Sequence, residues 1–273
     1  MRHEKEHAVI KKLFPKILTT AEKFFGKTKH IQSKTSATDI YTEADTSLDT
    51  LITRTITKAF PKDIVVSEES TPHLLNALQS GKRGWIIDPI CGSQNFARHI
   101  PFFCTNIAFV EKGHVHAAWV VDHPNKQLIW STGDHKVYIG GRLQQPYTVK
   151  NENWRINIDP GYWPLVAESV KKKYLTLTKL LGLDERIYTT ALGSSLAFAY
   201  VATGQMQGTM LLKAHPWDMV AACFLVEQNN GVASHFDGSP WNIHSTHMVM
   251  GHNKALYQHL INLLKKAQLT QSV

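Results

Sequence analysis

The strongest constraint on the fold is a change in the hydrophobic period along the chain. Over residues 9–25 and again over 44–59, apolar residues recur at the three- and four-residue spacing of an amphipathic helix. Between residues 105 and 139 the pattern changes to that of β-strands, in runs separated by turn sequences such as Lys112-Gly113. A chain that carries both periods without internal repeats predicts a layered α/β (α+β) fold.

The same patterns predict the order of the elements. In the first half we predict helices over 9–25 and 44–59, a polar stretch without an element over 26–39, and strands over 64–66, 85–87, 105–110, 116–121, 127–130 and 136–139. In the second half we predict strands over 155–158, 186–190, 232–236 and 247–250, and helices over 164–181, 194–203, from 217 onward and over 253–268. The break over 140–151 divides the chain into residues 1–145, with most candidate ligands, and 146–273, and we expect both halves to form one compact unit.

Composition narrows the class of protein. The 273 residues are 43% hydrophobic and 19% charged, which is ordinary for a globular protein. No apolar run approaches about 20 residues, so we expect no membrane-spanning helix, and the first residues lack an apolar signal core. Three widely spaced cysteines favour neither a disulfide framework nor a zinc ribbon. These features predict a cytoplasmic protein without a membrane partner.

The formal net charge of +8 leaves several anionic partners open. The basic residues are scattered, and their densest run, residues 171–173, lies on a predicted helix face. There is no zinc-finger spacing and no aromatic RNA-binding motif, so we predict no specific nucleic-acid partner. The charge is compatible with a small phosphorylated substrate.

Three carboxylates occupy the ends of predicted elements. Glu68 and Asp88 follow strands, and Asp218 opens a helix. Ligands of α/β proteins gather at the carboxyl ends of strands, so these side chains could converge on one cation. Oxygen ligands suit hard ions such as Mg²⁺. Taken singly, each residue also fits a turn or a helix N-terminus.

A glycine and a serine precede a short predicted helix. Gly92-Ser93 lies directly before residues 94–97. Such a turn exposes backbone N–H groups that can hold a phosphate beside a metal ion. Alone, the dipeptide is more often an ordinary turn.

The combination of motifs is more specific than any one of them. In order, the motifs are Lys34, Asp39-x-x-Thr42-x-x-Asp45, Ser67-Glu68-Glu69-Ser70, Trp85-Ile86-Ile87-Asp88-Pro89-Ile90-Cys91-Gly92-Ser93-Gln94-Asn95-Phe96, and Trp217-Asp218 followed by Asn230-Gly231. This ordered set, which spans nearly the whole chain, resembles the inositol monophosphatase family.

The resemblance implies an αβαβα sandwich of two mixed sheets and helices, and a Mg²⁺-dependent, Li⁺-sensitive phosphomonoesterase that is commonly a homodimer. The implied metal ligands are Glu68, Asp88, Asp218 and the carbonyl of Ile90. Asp45 and Glu68 would hold a water or a weaker third ion. Ser93 would orient the attacking water, the backbone amides of Gly92 and Ser93 would bind phosphate, and Gly193 and position 211 would lie at the substrate.

Cys91 departs from the family pattern, which has a metal-ligating aspartate there. A free thiol has a pKa of about 8.5 and is a poor ligand for Mg²⁺ when neutral, whereas a thiolate favours softer ions. One interpretation is a slower phosphatase that prefers Mn²⁺ or Zn²⁺. Another is a weakly active or inactive member that binds phosphorylated ligands, and Cys91 also fits a small buried filler.

Leu211 is the second departure, because inositol-type members carry a substrate-binding glutamate seven residues before the aspartate of the Trp-Asp motif. An apolar side chain cannot accept hydrogen bonds from inositol hydroxyls, so we expect a different sugar, polyol or nucleotide phosphate. Ser67 and Asn230 replace family glycines and are milder changes. His215, beside the Trp-Asp motif, is expected to be a packed or exposed histidine, with a place in the pocket wall as the alternative.

Overall fold

The computed structural model describes residues 2–27, 31–36, 39–79, 81–145 and 153–270, and this part of the chain contains eight α-helices and fourteen strands. The first helix, α1, covers Glu4–Phe24, and α2 covers Glu43–Ala59. The two helices pack against each other through the predicted apolar stripes, and Ile10 and Ile17 of α1 and Ile52 of α2 are fully buried.

A two-stranded antiparallel sheet separates these helices, where we predicted no element. It consists of β1, Ile31–Ser36, and β2, Asp39–Thr42. The sequence of β1, Ile-Gln-Ser-Lys-Thr-Ser, is polar at nearly every position, so it lacks the apolar alternation that identifies a half-buried strand.

A seven-stranded sheet follows, in the order β3-β4-β5-β6-β7-β8-β9. Its strands are Ile64–Ser67, Gly84–Cys91, Cys104–Glu111, His114–Asp122, Gln127–Ser131, Tyr138–Ile139 and Arg142–Leu143. Strands β3 and β4 are parallel, and every other neighbouring pair is antiparallel. A 3-10 helix, Pro72–Leu74, and α3, Leu75–Gln79, join β3 to β4, and α4, Ser93–Ala97, follows β4.

Side chains of this sheet alternate between two cores, as the period of a strand requires. In β4, Trp85 and Ile87 pack with α1 and α2, whereas Ile86 faces the opposite core. Both faces of the sheet are therefore covered, which explains why the central strands are apolar at nearly every position.

The second sheet has five strands in the order β11-β10-β12-β14-β13. In chain order they are β10, Trp154–Asp159; β11, Ile187–Thr190; β12, Gly208–Leu211; β13, Val232–Ser234; and β14, Met248–Gly251. Strands β11, β10 and β12 are parallel, and β14 pairs antiparallel with β12 and β13. We did not predict β12, because its four residues, Gly-Thr-Met-Leu, begin with a glycine and show no apolar alternation.

The helix predicted over 164–181 is two elements. A 3-10 helix covers Trp163–Leu165 and α5 covers Glu168–Gly182, because Val166 and Ala167 between them have extended backbone. The remaining helices are α6, Leu196–Thr203; α7, Pro216–Gln228; and α8, Lys254–Lys266.

The layers are α1 and α2, the seven-stranded sheet, α6 and α7, the five-stranded sheet, and α5 with α8. This αβαβα arrangement confirms the predicted fold class. Helices α6 and α7 are buried on almost all sides because a sheet lies on each face of their layer.

The predicted boundary over 140–151 falls partly outside the described residues, since 146–152 are not described, and the division at residue 145 stays a prediction. Within the described ranges, no helix has the length and apolar character needed to cross a membrane.

Candidate active site

A cavity of about 250 Å³ opens at the ends of β4, β10 and β12 and at the N-termini of α4, α6 and α7. Its walls comprise Ile40, Glu68, Asp88, Ile90, Cys91, Gly92, Ser93, Gln94, Asp159, Gly161, Tyr162, Gly193, Ser194, Ser195, Phe198, Leu211, Ala214 and Asp218. Every site residue predicted from the sequence lines this cavity except Asp45, which lies behind Ser93.

A β-bulge in β4 turns two of these side chains to the same side. Asp88 pairs with Asn106 and Cys91 pairs with Cys104, so three steps along β4 match two along β5. Residues three apart in a regular strand point to opposite faces, and the extra residue cancels that alternation. The hydroxyl of Thr105 donates a 2.7 Å hydrogen bond to the carbonyl of Pro89 and holds the bulge in place.

Asp88, Cys91 and Asp218 form a group of potential metal ligands whose ligand atoms lie within 4.8 Å of one another. Asp88 is 1% exposed, and neither of its carboxylate oxygens has a hydrogen-bond donor among the described residues. Burial, followed by the proximity of Cys91, Glu68 and Asp218, raises the pKa of Asp88 well above its usual value. A buried carboxylate without donors beside other acids is costly, and a cation would offset that cost.

Cys91 is both buried and part of the cavity wall. Its Sγ accepts a 3.3 Å hydrogen bond from the backbone N–H of Ser195 and lies 4.0 Å from Oδ1 of Asp218. The side chain of Cys104, and then burial, raise the pKa of the Cys91 thiol well above its usual value. Without a cation the side chain is therefore a neutral thiol, which can donate to Asp218.

Asp218 reaches the cavity from the first turn of α7. Its Oδ2 accepts a 2.8 Å hydrogen bond from the backbone N–H of His215, which leaves Oδ1 facing Cys91. The side chain of Asn106 donates to Oγ of Ser195 at 2.8 Å and to the carbonyl of Trp217 at 3.2 Å. Asn106 thus holds the N-termini of α6 and α7 against β5.

Ser93 and Asp45 are directly paired. Oγ of Ser93 lies 2.9 Å from Oδ1 of Asp45 and 2.9 Å from the carbonyl of Ile90, so its single proton goes to one of these acceptors at a time. Oδ2 of Asp45 accepts hydrogen bonds of 2.7 and 2.6 Å from the backbone N–H and the hydroxyl of Thr42. Asp45 is fully buried, so it holds Ser93 rather than forming the cavity wall.

Gly92 allows a close approach of two helix N-termini. Its φ is +100°, and a Cβ atom there would lie 2.9 Å from Cβ of Ser194. Oγ of Ser194 donates a 2.8 Å hydrogen bond to the carbonyl of Cys91, and Asn95 donates to the carbonyl of Leu192 at 2.7 Å. The first residues of α4 and α6 therefore meet at the cavity, where their backbone dipoles favour an anion.

The sequence did not single out Asp159, Tyr162, Ser194 or Ser195, which the structure places in the cavity wall. Asp159 carried a usable signal, because it ends a predicted strand in the same way as Asp88. His215 packs between the rings of Tyr162 and Trp217, at centroid distances of 4.8 and 4.6 Å, as expected of a packed histidine.

The donor set fits a divalent cation. Glu68, Asp88, Asp218 and the carbonyl of Ile90 offer the oxygen ligands that hard ions prefer, and the donor-free oxygens of Asp88 are available. Cys91 adds a sulfur ligand that softer ions prefer.

Comparison with known proteins gives a family match over almost the whole chain. The model of the inositol monophosphatase family matches residues 5–269. Nus factor SuhB of Salmonella typhimurium is 26% identical over 231 residues, which cover 85% of each chain. A fructose-1,6-bisphosphatase/inositol-1-monophosphatase of Thermotoga maritima is 25% identical over 246 residues, or 89% of each chain.

Solved structures share the fold. An inositol monophosphatase of Thermotoga maritima superimposes with a TM-score of 0.81 at 22% identity and 97% coverage of both chains. An IMPase/NADP phosphatase complexed with Mg²⁺ and phosphate gives 0.80 at 19% identity and 95% coverage of both chains.

Proposed function

The chain belongs to the inositol monophosphatase family of metal-dependent phosphoric monoester hydrolases, and from this premise we propose that it hydrolyses a small sugar, polyol or nucleotide phosphate. The observation that carries the proposal is the donor-free, buried carboxylate of Asp88 in a cavity shared with Glu68 and Asp218. Burial of such a carboxylate without hydrogen bonds destabilises the fold, and a divalent cation would stabilise it.

Glu68, Asp88, Asp218 and the carbonyl of Ile90 would hold Mg²⁺, with Cys91 as a weak additional ligand. The Mg²⁺ in the IMPase/NADP phosphatase complex supports this choice of ion. When bound, a divalent cation favours deprotonation of the attacking water and offsets negative charge on the phosphate. Mn²⁺ and Zn²⁺ stay alternatives because of the thiol.

Ser93 is proposed to orient the attacking water. When its proton is donated to Asp45, the hydroxyl oxygen keeps a lone pair for a hydrogen bond from a water in the cavity. Asp45 fixes the hydroxyl because its other oxygen is already held by Thr42. The pair therefore supplies orientation, a contribution that lowers the entropic part of the barrier.

The phosphate group is proposed to lie against the backbone of Gly92 and Ser93, beside Gly193. Backbone N–H groups at the start of α4 are donors suited to phosphate oxygens. At the start of α6, by contrast, the N–H groups of Ser195 and Leu196 already donate to Sγ of Cys91 and Oγ of Ser194. The alcohol part of the substrate would then point toward Leu211, at the carboxyl end of β12.

The test is hydrolysis of p-nitrophenyl phosphate by the purified protein with Mg²⁺, Mn²⁺ or Zn²⁺. We expect turnover with at least one of these ions and a loss of about 100-fold or more in Asp88→Asn, because a metal ligand is removed. The same variant should melt at a higher temperature than wild type in metal-free buffer, since it removes a buried charge without donors.

Asp122→Asn is the matched control. Asp122 is also buried, at 2% exposure, but its carboxylate accepts hydrogen bonds from Asn125 and Tyr200. This variant should melt lower than wild type and keep its hydrolytic activity. If wild type hydrolyses no ester with any of the three ions, the chain is a ligand-binding member with little turnover, the alternative that Cys91 raises.

A homodimeric state and a cytoplasmic location stay predictions from the resemblance and from composition.

A further inference from the structure

We propose that Asp159 binds hydroxyl groups on the alcohol part of the substrate, so that the enzyme selects phosphate esters with free hydroxyls near the ester bond. This inference rests on the proposed function, because it concerns the same cavity. Of the described carboxylates that line the cavity, Asp159 alone is not a candidate metal ligand.

The sheet places Asp159 where the alcohol part of the substrate would lie. Strands β10 and β12 are parallel, and Asp159 is in register with Leu211 at their carboxyl ends. Leu211 is 3% exposed and cannot accept a hydrogen bond, so at this end of the cavity the acceptor is on the neighbouring strand.

The turn after β10 fixes the carboxylate. Oδ1 of Asp159 accepts a 2.8 Å hydrogen bond from the backbone N–H of Gly161. Gly161 has a φ of +61°, and a Cβ atom there would overlap the carbonyl oxygen of Lys213, so only glycine fits. The N–H of Tyr162 donates to that same carbonyl at 3.0 Å, which ties the turn to the end of β12.

One oxygen of Asp159 remains available. Oδ2 has no hydrogen-bond partner among the described residues, while Oδ1 is held by the turn. Burial raises the pKa of this carboxyl group, and a hydroxyl donor from a ligand would replace the hydration that burial removes.

The neighbours of Asp159 suit a hydroxylated carbon skeleton rather than a second anion. The ring of Tyr162 and the side chain of Leu211 give apolar surface for C–H groups beside the carboxylate. A second phosphate at this end would lie against a carboxylate and be repelled, whereas a diol would donate to it. Polyol phosphates and ribonucleotides share this hydroxyl chemistry.

The test compares two esters of similar skeleton, glycerol 2-phosphate with two hydroxyls and isopropyl phosphate with none. Wild type should prefer glycerol 2-phosphate in kcat/KM, and Asp159→Asn should reduce the ratio of the two kcat/KM values about tenfold, the size expected for a lost hydrogen bond to a charged group. Asparagine can still accept from Gly161, so the turn is kept. The exposed Asp237→Asn is the control and should leave the ratio unchanged.

A double substitution checks that the effect comes from a carboxylate in the cavity. Asp159→Asn combined with Leu211→Glu returns a carboxylate to the adjacent strand and should restore the ratio to within about threefold of wild type. Adenosine 2′-phosphate against its 3′-deoxy analogue distinguishes a ribose from a polyol as the source of the hydroxyl.

The outcomes separate the two proposals. If wild type hydrolyses both esters but Asp159→Asn leaves the ratio unchanged, or lowers both rates equally, hydroxyl recognition by Asp159 is wrong and the phosphatase proposal stands. If wild type hydrolyses p-nitrophenyl phosphate but neither of these two esters, hydroxyl recognition by Asp159 is wrong and the phosphatase proposal stands. If wild type hydrolyses none of the three esters with Mg²⁺, Mn²⁺ or Zn²⁺, both proposals are wrong.

Discussion

Sγ of Cys91 occupies the place between the bulge of β4 and the first turn of α7, with the carboxylate of Asp218 4.0 Å away. A neutral thiol in this place relieves like-charge repulsion, because a carboxylate there would add a charge beside Asp88 and Asp218. The same thiol weakens the affinity for a hard cation. At the scale of one residue, stability without metal and affinity for Mg²⁺ therefore change in opposite directions.

Cys91→Asp should lower the stability without metal and raise the affinity for Mg²⁺. We expect a lower melting temperature in metal-free buffer, a larger Mg²⁺-induced rise than in wild type, and faster Mg²⁺-dependent hydrolysis of p-nitrophenyl phosphate, because the ion binds the folded state. Differential scanning fluorimetry across a Mg²⁺ titration measures the first two effects.

Cys91→Ser controls for the loss of sulfur without a gain of charge and should not increase the Mg²⁺ response. If wild type already turns over rapidly with Mg²⁺ and Cys91→Asp brings no gain, Cys91 is not a weakened ligand position.

The sequence predicted the shared location of carboxylates that carry a motif, while their roles stay predictions. Glu68, Asp88 and Asp218 were singled out because strand ends and an ordered motif set coincide there, and all three line one cavity. Asp159 ends a strand in the same way but lies in no motif, and its proximity to Leu211 depends on a strand pairing that the sequence does not reveal.

At the scale of elements, sequence analysis missed β12, although β14, which is equally short and equally buried, was predicted. The four residues of β12 lack alternation, yet they position Leu211 and, through the adjacent turn, Tyr162. The bulge in β4 is equally hidden, because the sequence Asp88-Pro89-Ile90-Cys91 does not show that three steps match two on the partner strand.

The approach of α4 to α6 depends on Gly92, and we expect Gly92→Ala to destabilise the fold by about 1–3 kcal/mol through its positive φ and the contact with Ser194. Chemical denaturation measures the change in free energy of unfolding. The variant should also bind inorganic phosphate more weakly, as read by isothermal titration calorimetry, because the two helix N-termini have to separate.

Gly113→Ala is the matched control, since Gly113 also has a positive φ, +77°, but nothing within 4 Å of an added Cβ atom. Gly113→Ala should be destabilised only by the cost of placing alanine at a positive φ, and its affinity for phosphate should not change. Equal effects of the two substitutions would mean that the contact with Ser194 contributes nothing.

At the scale of the whole molecule, stability should depend on a buried neutral histidine. His123 is 7% exposed, its Nε2 lies 2.9 Å from Oγ1 of Thr105, and its ring stacks on Phe103. Burial lowers the pKa of His123 from 6.5 to about 3. Between these values the unfolded chain binds a proton that the folded protein does not, so stability falls as the pH is lowered through this window.

His123→Gln removes this titration and keeps a donor for Thr105. The free energy of unfolding of wild type should therefore decrease relative to the variant by up to about 1.4 kcal/mol per pH unit as the pH falls from 6.5 toward 4. Urea denaturation at several pH values gives the difference, in which other titrating groups cancel. In the exposed His114→Gln, the free energy of unfolding should change with pH as it does in wild type. The same pH dependence in His123→Gln as in wild type would contradict the assignment.

The central layer of α6 and α7 has a consequence for cooperativity. Asp88 and Cys91 come from one sheet, Asp159 and Leu211 from the other, and Asp218 from a helix packed between them. No fragment of the chain that keeps only one sheet holds a complete cavity. Separation of the two sheets therefore removes the catalytic site at the same step as it removes the central core, and no partly unfolded state with a single intact sheet retains a working site.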